Sequence, residues 1–164
     1  MKYLLIALVQ CFSSVIIGQI TNCTQQFLVP EPAIETSGLI FLNGKIITHN
    51  DSDGGNFLFE IDSLSGDIIR TITIENASNT DWEDISIDDE FIYIGDIGNN
   101  YGNRTDLGVY RISISDFTSS ENVSAEQITF HYADQIDFTP APEETGFDAE
   151  AMTVIGDSIF VFTK

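Results

Sequence analysis

Three segments of this chain place carboxylates in matching positions: "IETSGLIFLNGKIITHND" from Ile34, "TDWEDISIDDEFIYIGDIGNN" from Thr80 and "GFDAEAMTVIGDSIFVFTK" from Gly146. When the three are aligned, Glu35, Asp81 and Asp148 share one column. Ser37, Glu83 and Glu150 follow two residues later, and Leu39, Ile85 and Met152 two after that. A lone Asp or Asn at a turn is explained by its bonds to nearby backbone, but a column repeated three times is not. Carboxylates and amide carbonyls without thiolates are hard oxygen donors, which suit calcium better than zinc. Crowded carboxylates also repel unless a cation or protons neutralise them. The expected metal-binding set is therefore Glu35, Asp81, Glu83, Asp96, Asp148 and Glu150. Asn50, Asp51, Trp82, Asn99 and Asn100 form the expected ligand-facing rim around it, Trp82 either packing between sheets or stacking on a ligand. The stretch "NDSDGGN" from Asn50 has the look of a calcium loop but lacks the glutamate an EF-hand needs, and reads as a glycine-rich turn.

Catalytic side chains are scarcer. His49 is the one histidine near the expected rim, where it is a general base, a ligand or a hydrogen-bonded structural residue. Arg104 either clamps an anion bidentately or pairs with Asp106. Lys164 completes the candidate set for an enzyme in which bound ions activate water and neutralise phosphate oxygens. The chain carries no GxSxG, P-loop, HExxH or Cys-His arrangement.

Such a rim needs a scaffold that returns to one end repeatedly. The chain has almost no helical period; short β-branched and aromatic runs alternate with Gly, Asn, Asp and Ser. Hairpins are expected around Asn43-Gly44, Ser63 to Gly66, Asp88-Asp89 and Gly156-Asp157. The strands group as Ser37–Leu42, Lys45–Thr48, Asn56–Asp62 and Ile68–Ile74, then Ile85–Asp88, Phe91–Gly95, Gly108–Ile114 and Gln127–Tyr132, then one further hairpin. Four-stranded antiparallel units recurring in this way predict an all-β fold of β-propeller-like blades, about two and a half of them. A twisted open β-sandwich is the alternative. In a propeller the loops leading into each blade's first strand, and those after its second, open on one rim. That geometry would gather the acids named above.

The totals agree with an exported acidic protein. Of 164 residues, 26 are acidic against 6 Lys plus Arg, a net charge of −20. Such a surface repels nucleic acid and anionic membranes, which are bound through Lys and Arg. Residues 1–18, "MKYLLIALVQCFSSVIIG", read as a secretory signal peptide: one Lys, an apolar middle and a small final residue. Gln10, Ser13 and Ser14 interrupt the apolar run well short of the roughly 20 residues of a membrane span. Residues 19–33 form a lead-in and 34–164 the partial propeller. Removal of the leader leaves Cys23 as the single cysteine, so no intrachain disulfide or Cys/His zinc site is expected, and the core must be apolar.

Five motifs, "ETSGL" (Glu35–Leu39), "HNDS" (His49–Ser52), "DWEDI" (Asp81–Ile85), "GDIGNNYGNR" (Gly95–Arg104) and "DAEAM" to "FTK" (Asp148–Met152, Phe162–Lys164), stand in order along the chain. In these it resembles a family of exported β-propellers found widely among Bacteroidota, which are similar to the SdiA-regulated and esterase-like phytase propellers. The resemblance implies a propeller that continues beyond Lys164, a functional rim, and secretion or display at the cell surface. Three functions remain open from sequence. The first is a cation-binding rim that takes a small-molecule, glycan or protein ligand, and the second is a calcium-dependent phosphoesterase. The third is a metal-free interaction module.

Overall fold

Alternating apolar and polar residues, broken by turns that demand unusual backbone, account for the strands. In the computed structural model, which describes residues 26–52, 54–142 and 145–164, β1 (Thr36–Leu42) and β2 (Lys45–Asn50) are joined at Asn43 and Gly44. Both turn residues take positive φ, 51° and 79°, as a tight primed hairpin requires. β3 (Phe57–Asp62) and β4 (Ile68–Ile74) complete an antiparallel first sheet. The second sheet contains β5 (Trp82–Ile87), β6 (Phe91–Asp96) and β7 (Gly108–Ser113), with β9 (Glu126–Thr129) at its edge. The third is the hairpin β10 (Ala149–Ile155) and β11 (Ser158–Thr163). The expected all-β architecture of blade-like antiparallel sheets is observed, and the strand boundaries agree to within a few residues. The leader lies outside the described residues.

One connection departs from the expected pattern. Between β7 and β9, a short helix α1 (Ile114–Ser119) and a two-residue strand β8 (Asn122–Val123) occupy what reads in sequence as a plain loop. β8 pairs in parallel with β4, so the second unit lends a strand to the first sheet. The helix is held by its ends. Ser113 caps it by accepting from the Asp116 N–H, and Phe117 is buried beneath the Arg70 guanidinium, 5.0 Å from its ring centroid. A segment this short carries too little periodicity to be seen in sequence.

The sheets stack in a row through their first strands, β1 against β5 and β5 against β10. Between the first and second sheets, Ile40, Leu58, Ile72, Trp82, Ile92 and Ile112 are buried together. Between the second and third, Tyr93, Val109, Ala149 and Met152 form a smaller core. Ile92 and Ile94 face one way and Tyr93 the other, so the second sheet is covered on both sides, as the period of two along a strand dictates. Phe59, Ile61 and Ala33 make a third cluster on the outer face of the first sheet.

Polar links set the spacing of the first strands. The Ser37 hydroxyl donates to the Glu83 carbonyl at 2.6 Å, and the Asp84 carboxylate accepts the Met152 N–H at 2.6 Å. Gly38 permits the closest approach, because a Cβ there would meet the Ile85 nitrogen at 2.6 Å. This explains the glycine of "SGL": a larger residue would push against backbone that cannot yield.

Candidate metal centre

The aligned columns correspond to a repeated backbone feature. β1–β2, β5–β6 and β10–β11 each shift register near their open end, between Thr36 and Leu39, Trp82 and Asp84, and Ala149 and Ala151. Ser37, Glu83 and Glu150 sit within these shifts. A bulge leaves a residue unpaired and turns its side chain off the regular alternation, and of the three residues so placed Glu83 joins the acidic group. Glu83 as a whole residue is 7 % exposed.

Asp51, Asp81 and Glu83 meet there, each offering an oxygen within 4.8 Å of the others. The group spans two sheets. Asp51 follows β2, whereas Asp81 immediately precedes β5 and Glu83 is its second residue. Gly98 forms the floor: its N–H donates to the Asp81 carbonyl at 3.2 Å. A Cβ at that position would lie 2.3 Å from Asp81 Oδ2 and 2.4 Å from Glu83 Oε1. The carboxylates thus fill a space that exists because residue 98 has no side chain. A group of all-oxygen donors that could hold a metal ion is therefore present.

Two side chains hold this arrangement. Asn79 donates to the carbonyls of Asn50 (3.0 Å) and Asp51 (2.7 Å) and accepts the Trp82 N–H at 3.2 Å, tying the Asp51 loop to the start of β5. Asn100 donates to Asp81 Oδ2 at 3.3 Å. A cleft of about 220 Å³ opens beside Asp81, lined also by Ser52, Asn99, Asn100, Tyr101 and Arg104.

The other residues of the expected metal set lie elsewhere or have partners. Glu35 is exposed and does not join the group; its backbone N–H donates to the Asn50 side chain at 3.3 Å. Asp96 is bound by Arg104 Nη1 at 2.9 Å and accepts the Asp81 N–H at 3.1 Å. Asp148 is fully buried, accepting the Asn99 N–H at 2.7 Å and pairing with Lys164 Nζ at 3.0 Å. Glu150, at the surface, pairs with the same ammonium. Asp96, Asp148 and Glu150 are thus structural anchors, while Asp51, expected as rim, belongs to the acidic centre. The physical reason is competition: an acid beside Arg104 or Lys164 is already neutralised.

The ligand-facing rim also needs correction. Trp82 is fully buried, its ring 5.7 Å from His49 and 5.9 Å from Tyr110, with Nε1 donating to the Ser78 carbonyl at 3.0 Å. It packs between sheets and has no face for a ligand. Asn50 is buried and donates to the Pro32 carbonyl at 2.9 Å, fastening the lead-in. Asn99 bridges the Phe147 carbonyl and the Arg104 N–H. Among the weak catalytic candidates, His49 is buried with Nδ1 2.9 Å from the Asn50 carbonyl, and burial lowers its pKa. Arg104 pairs with Asp106 at 3.0 Å as well as with Asp96. Each of the three candidates thus has a structural partner, although among the described residues His49 Nε2 and Arg104 Nη2 are buried without a hydrogen-bond partner.

Electrostatics distinguish the acidic centre from an ordinary solvated cluster. Glu83 is pushed up to about 8 by burial first, then by Glu150, Asp51, Asp81 and Asp148. Asp81 is raised by burial and by Asp51, with Arg104 and Asn100 pulling the other way. In the cation-free fold Glu83 keeps a proton that the unfolded chain releases near its ordinary value of 4.5. Stability from this group is therefore greatest at low pH and is lost as pH rises through about 8. Each tenfold change in proton affinity is about 1.4 kcal/mol, so after solvent screening the loss is about 2 kcal/mol. In chelator, the melting temperature should fall by about 4–8 °C between pH 5 and 8.5. Glu83→Gln should flatten that slope; an unchanged slope would remove Glu83 as its source. No protein-family model and no curated protein matches the chain, so the functional reading rests on this geometry.

Proposed function

We propose that this chain is an exported β-propeller-type module whose rim binds a divalent cation through Asp51, Asp81 and Glu83, and through the cation a ligand. The carrying observation is the convergence of three carboxylates from two sheets onto the space left by Gly98. Such charge concentration disfavours the empty, fully ionised state and favours a cation in proportion. All donors are oxygen, which selects calcium or magnesium over zinc, and the irregular loop position of Asp51 suits calcium's flexible coordination. Calcium takes roughly six to eight oxygens. The three acids supply part of that shell and leave the remainder for backbone carbonyls and a ligand in the adjoining cleft. A small molecule, glycan or protein with oxygen donors fits this role. The leader-like start, the charge of −20 and the motif resemblance support export.

The test is calorimetric titration of the full chain with calcium, magnesium and zinc at neutral pH. Calcium should bind with an affinity roughly in the micromolar to millimolar range, the weaker part of what protein sites span. Asp81→Asn should weaken it at least about tenfold, which is 1.4 kcal/mol. A flat titration of the unaltered chain at millimolar calcium would sink the reading.

A further inference from the structure

The stretch "GNNYGNRTDLG" from Gly98 joins β6 to β7, and its aromatic residue packs in none of the apolar cores. Tyr101 is 56 % exposed, although the backbone on either side of it is fastened. The Ala141 N–H donates to the Tyr101 carbonyl at 2.9 Å, and the buried Gln135 side chain donates to the Gly102 carbonyl at 2.8 Å. Gly102 turns the chain at a positive φ of 65° that suits glycine, and its N–H donates to the Asn99 carbonyl at 2.7 Å. An aromatic ring held outward on a fixed loop meets a ligand at little cost in conformational entropy.

Tyr101 lines the cleft beside Asp81, where the loops of the first and second sheets meet. Ser52, Thr80, Asn100 and Asn103 add hydroxyl and amide groups to the same lining. Its basic residue, Arg104, spends Nη1 and Nε on Asp96, the Gly98 carbonyl and Asp106, and its Nη2 is buried. An anion entering the cleft would therefore find no free cationic side chain among the described residues. Behind Asp81, Glu83 is almost wholly buried as a residue, yet among the described residues no hydrogen bond holds its carboxylate. The cleft thus joins an unsatisfied acid, a neutral polar lining and an exposed ring.

We infer that this cleft binds a neutral carbohydrate, whose adjacent ring hydroxyls complete the shell of a calcium ion at Asp51, Asp81 and Glu83 while a sugar face stacks on Tyr101. The inference rests on the cation centre proposed above and names the class of its ligand. Calcium takes roughly six to eight oxygens, and the three acids leave some of those positions open. Neighbouring hydroxyls of one ring supply a pair of oxygens without adding negative charge. That neutrality matters on a chain of net charge −20, which repels anions at a distance. The C–H groups of a sugar face are weakly positive and suit the negative face of the tyrosine ring. Hydroxyl and amide groups along the walls both donate and accept, as a polyol requires.

The probes are the methyl glycosides of mannose, glucose, galactose and fucose, titrated by calorimetry into the full chain saturated with calcium. At least one should saturate at roughly millimolar concentration. Replacing one of its adjacent hydroxyls by hydrogen should weaken it at least about tenfold, and chelator should abolish its binding. Tyr101→Ala should weaken the glycoside at least about fivefold and leave calcium affinity within about twofold, a split that a merely structural residue would not produce. If calcium binds and none of the glycosides saturates, the carbohydrate inference is overturned while the cation centre stands. If calcium itself fails to bind, the cation centre falls and the inference falls with it. Saturation that survives chelator, or that Tyr101→Ala leaves unchanged, also overturns it, because the sugar would then sit elsewhere.

Discussion

Gly98→Ala should weaken calcium binding severely while leaving the protein folded. The introduced Cβ would fall 2.3 Å from Asp81 Oδ2 and 2.4 Å from Glu83 Oε1, both at the free ends of side chains. Those ends can rotate away at modest cost, so the change in stability should stay below about 1.5 kcal/mol. They cannot rotate away and still converge with Asp51. Two of three carboxylates leave their positions, and affinity should drop at least about thirtyfold, or 2 kcal/mol. Paired urea denaturation and calcium calorimetry read the two quantities separately. A variant that melts normally and binds calcium like the parent would show that the ion, if bound, sits elsewhere. This substitution removes no acid, so its effect cannot be attributed to lost net charge.

Replacing Arg104 by methionine should be among the most destabilising changes at the rim, by about 3–5 kcal/mol at neutral pH. Its guanidinium reaches the Asp96 carboxylate at 2.9 Å, the Gly98 carbonyl at 2.8 Å and Asp106 at 3.0 Å. Without it, Asp96 would keep a buried charge with the Asp81 N–H as its remaining partner. Burial already raises the pKa of Asp96, and Arg104 is the main opposing influence. Removal lets the pKa climb further, so the folded variant holds a proton that the unfolded chain gives up near 3.8. The deficit should therefore be full at pH 7–8 and shrink toward pH 4. Asp96→Asn in the same chain should recover much of it, since the neutral amide leaves no charge stranded. A deficit below about 1 kcal/mol, or one independent of pH, would mean that Arg104 is free to serve a ligand.

These two residues also show where sequence reading reaches and where it stops. Alternation, turn glycines and repeat spacing are local properties, and each strand and hairpin follows from them; Asn43-Gly44 marks its turn because few residues accept that backbone. The repeated columns were likewise visible, since equivalent positions in successive units meet equivalent backbone, here a bulge at the mouth of each hairpin. Which acids remain without a cationic partner was not visible. Glu35, Asp148 and Asp81 occupy one column, yet one lies at the surface, one is neutralised by Lys164 and one reaches the acidic centre. The "GDIGNN" motif was legible as a motif, but the need for Gly98 arises from carboxylates that the chain lays down about fifteen residues earlier and folds back against it.

By itself the sequence determined the all-β class, the order of the hairpins, the repeat and the oxygen-only chemistry of the rim. Periodicity, turn stereochemistry and donor type are carried residue by residue, so they survive without knowledge of neighbours. Only the tertiary structure decided that Asp51 joins Asp81 and Glu83, that Trp82 and His49 are interior, and that Arg104 and Lys164 are spent on Asp96 and Asp148. Those outcomes depend on distances between sheets and on competition among charges for few cations, quantities that exist once the sheets are stacked.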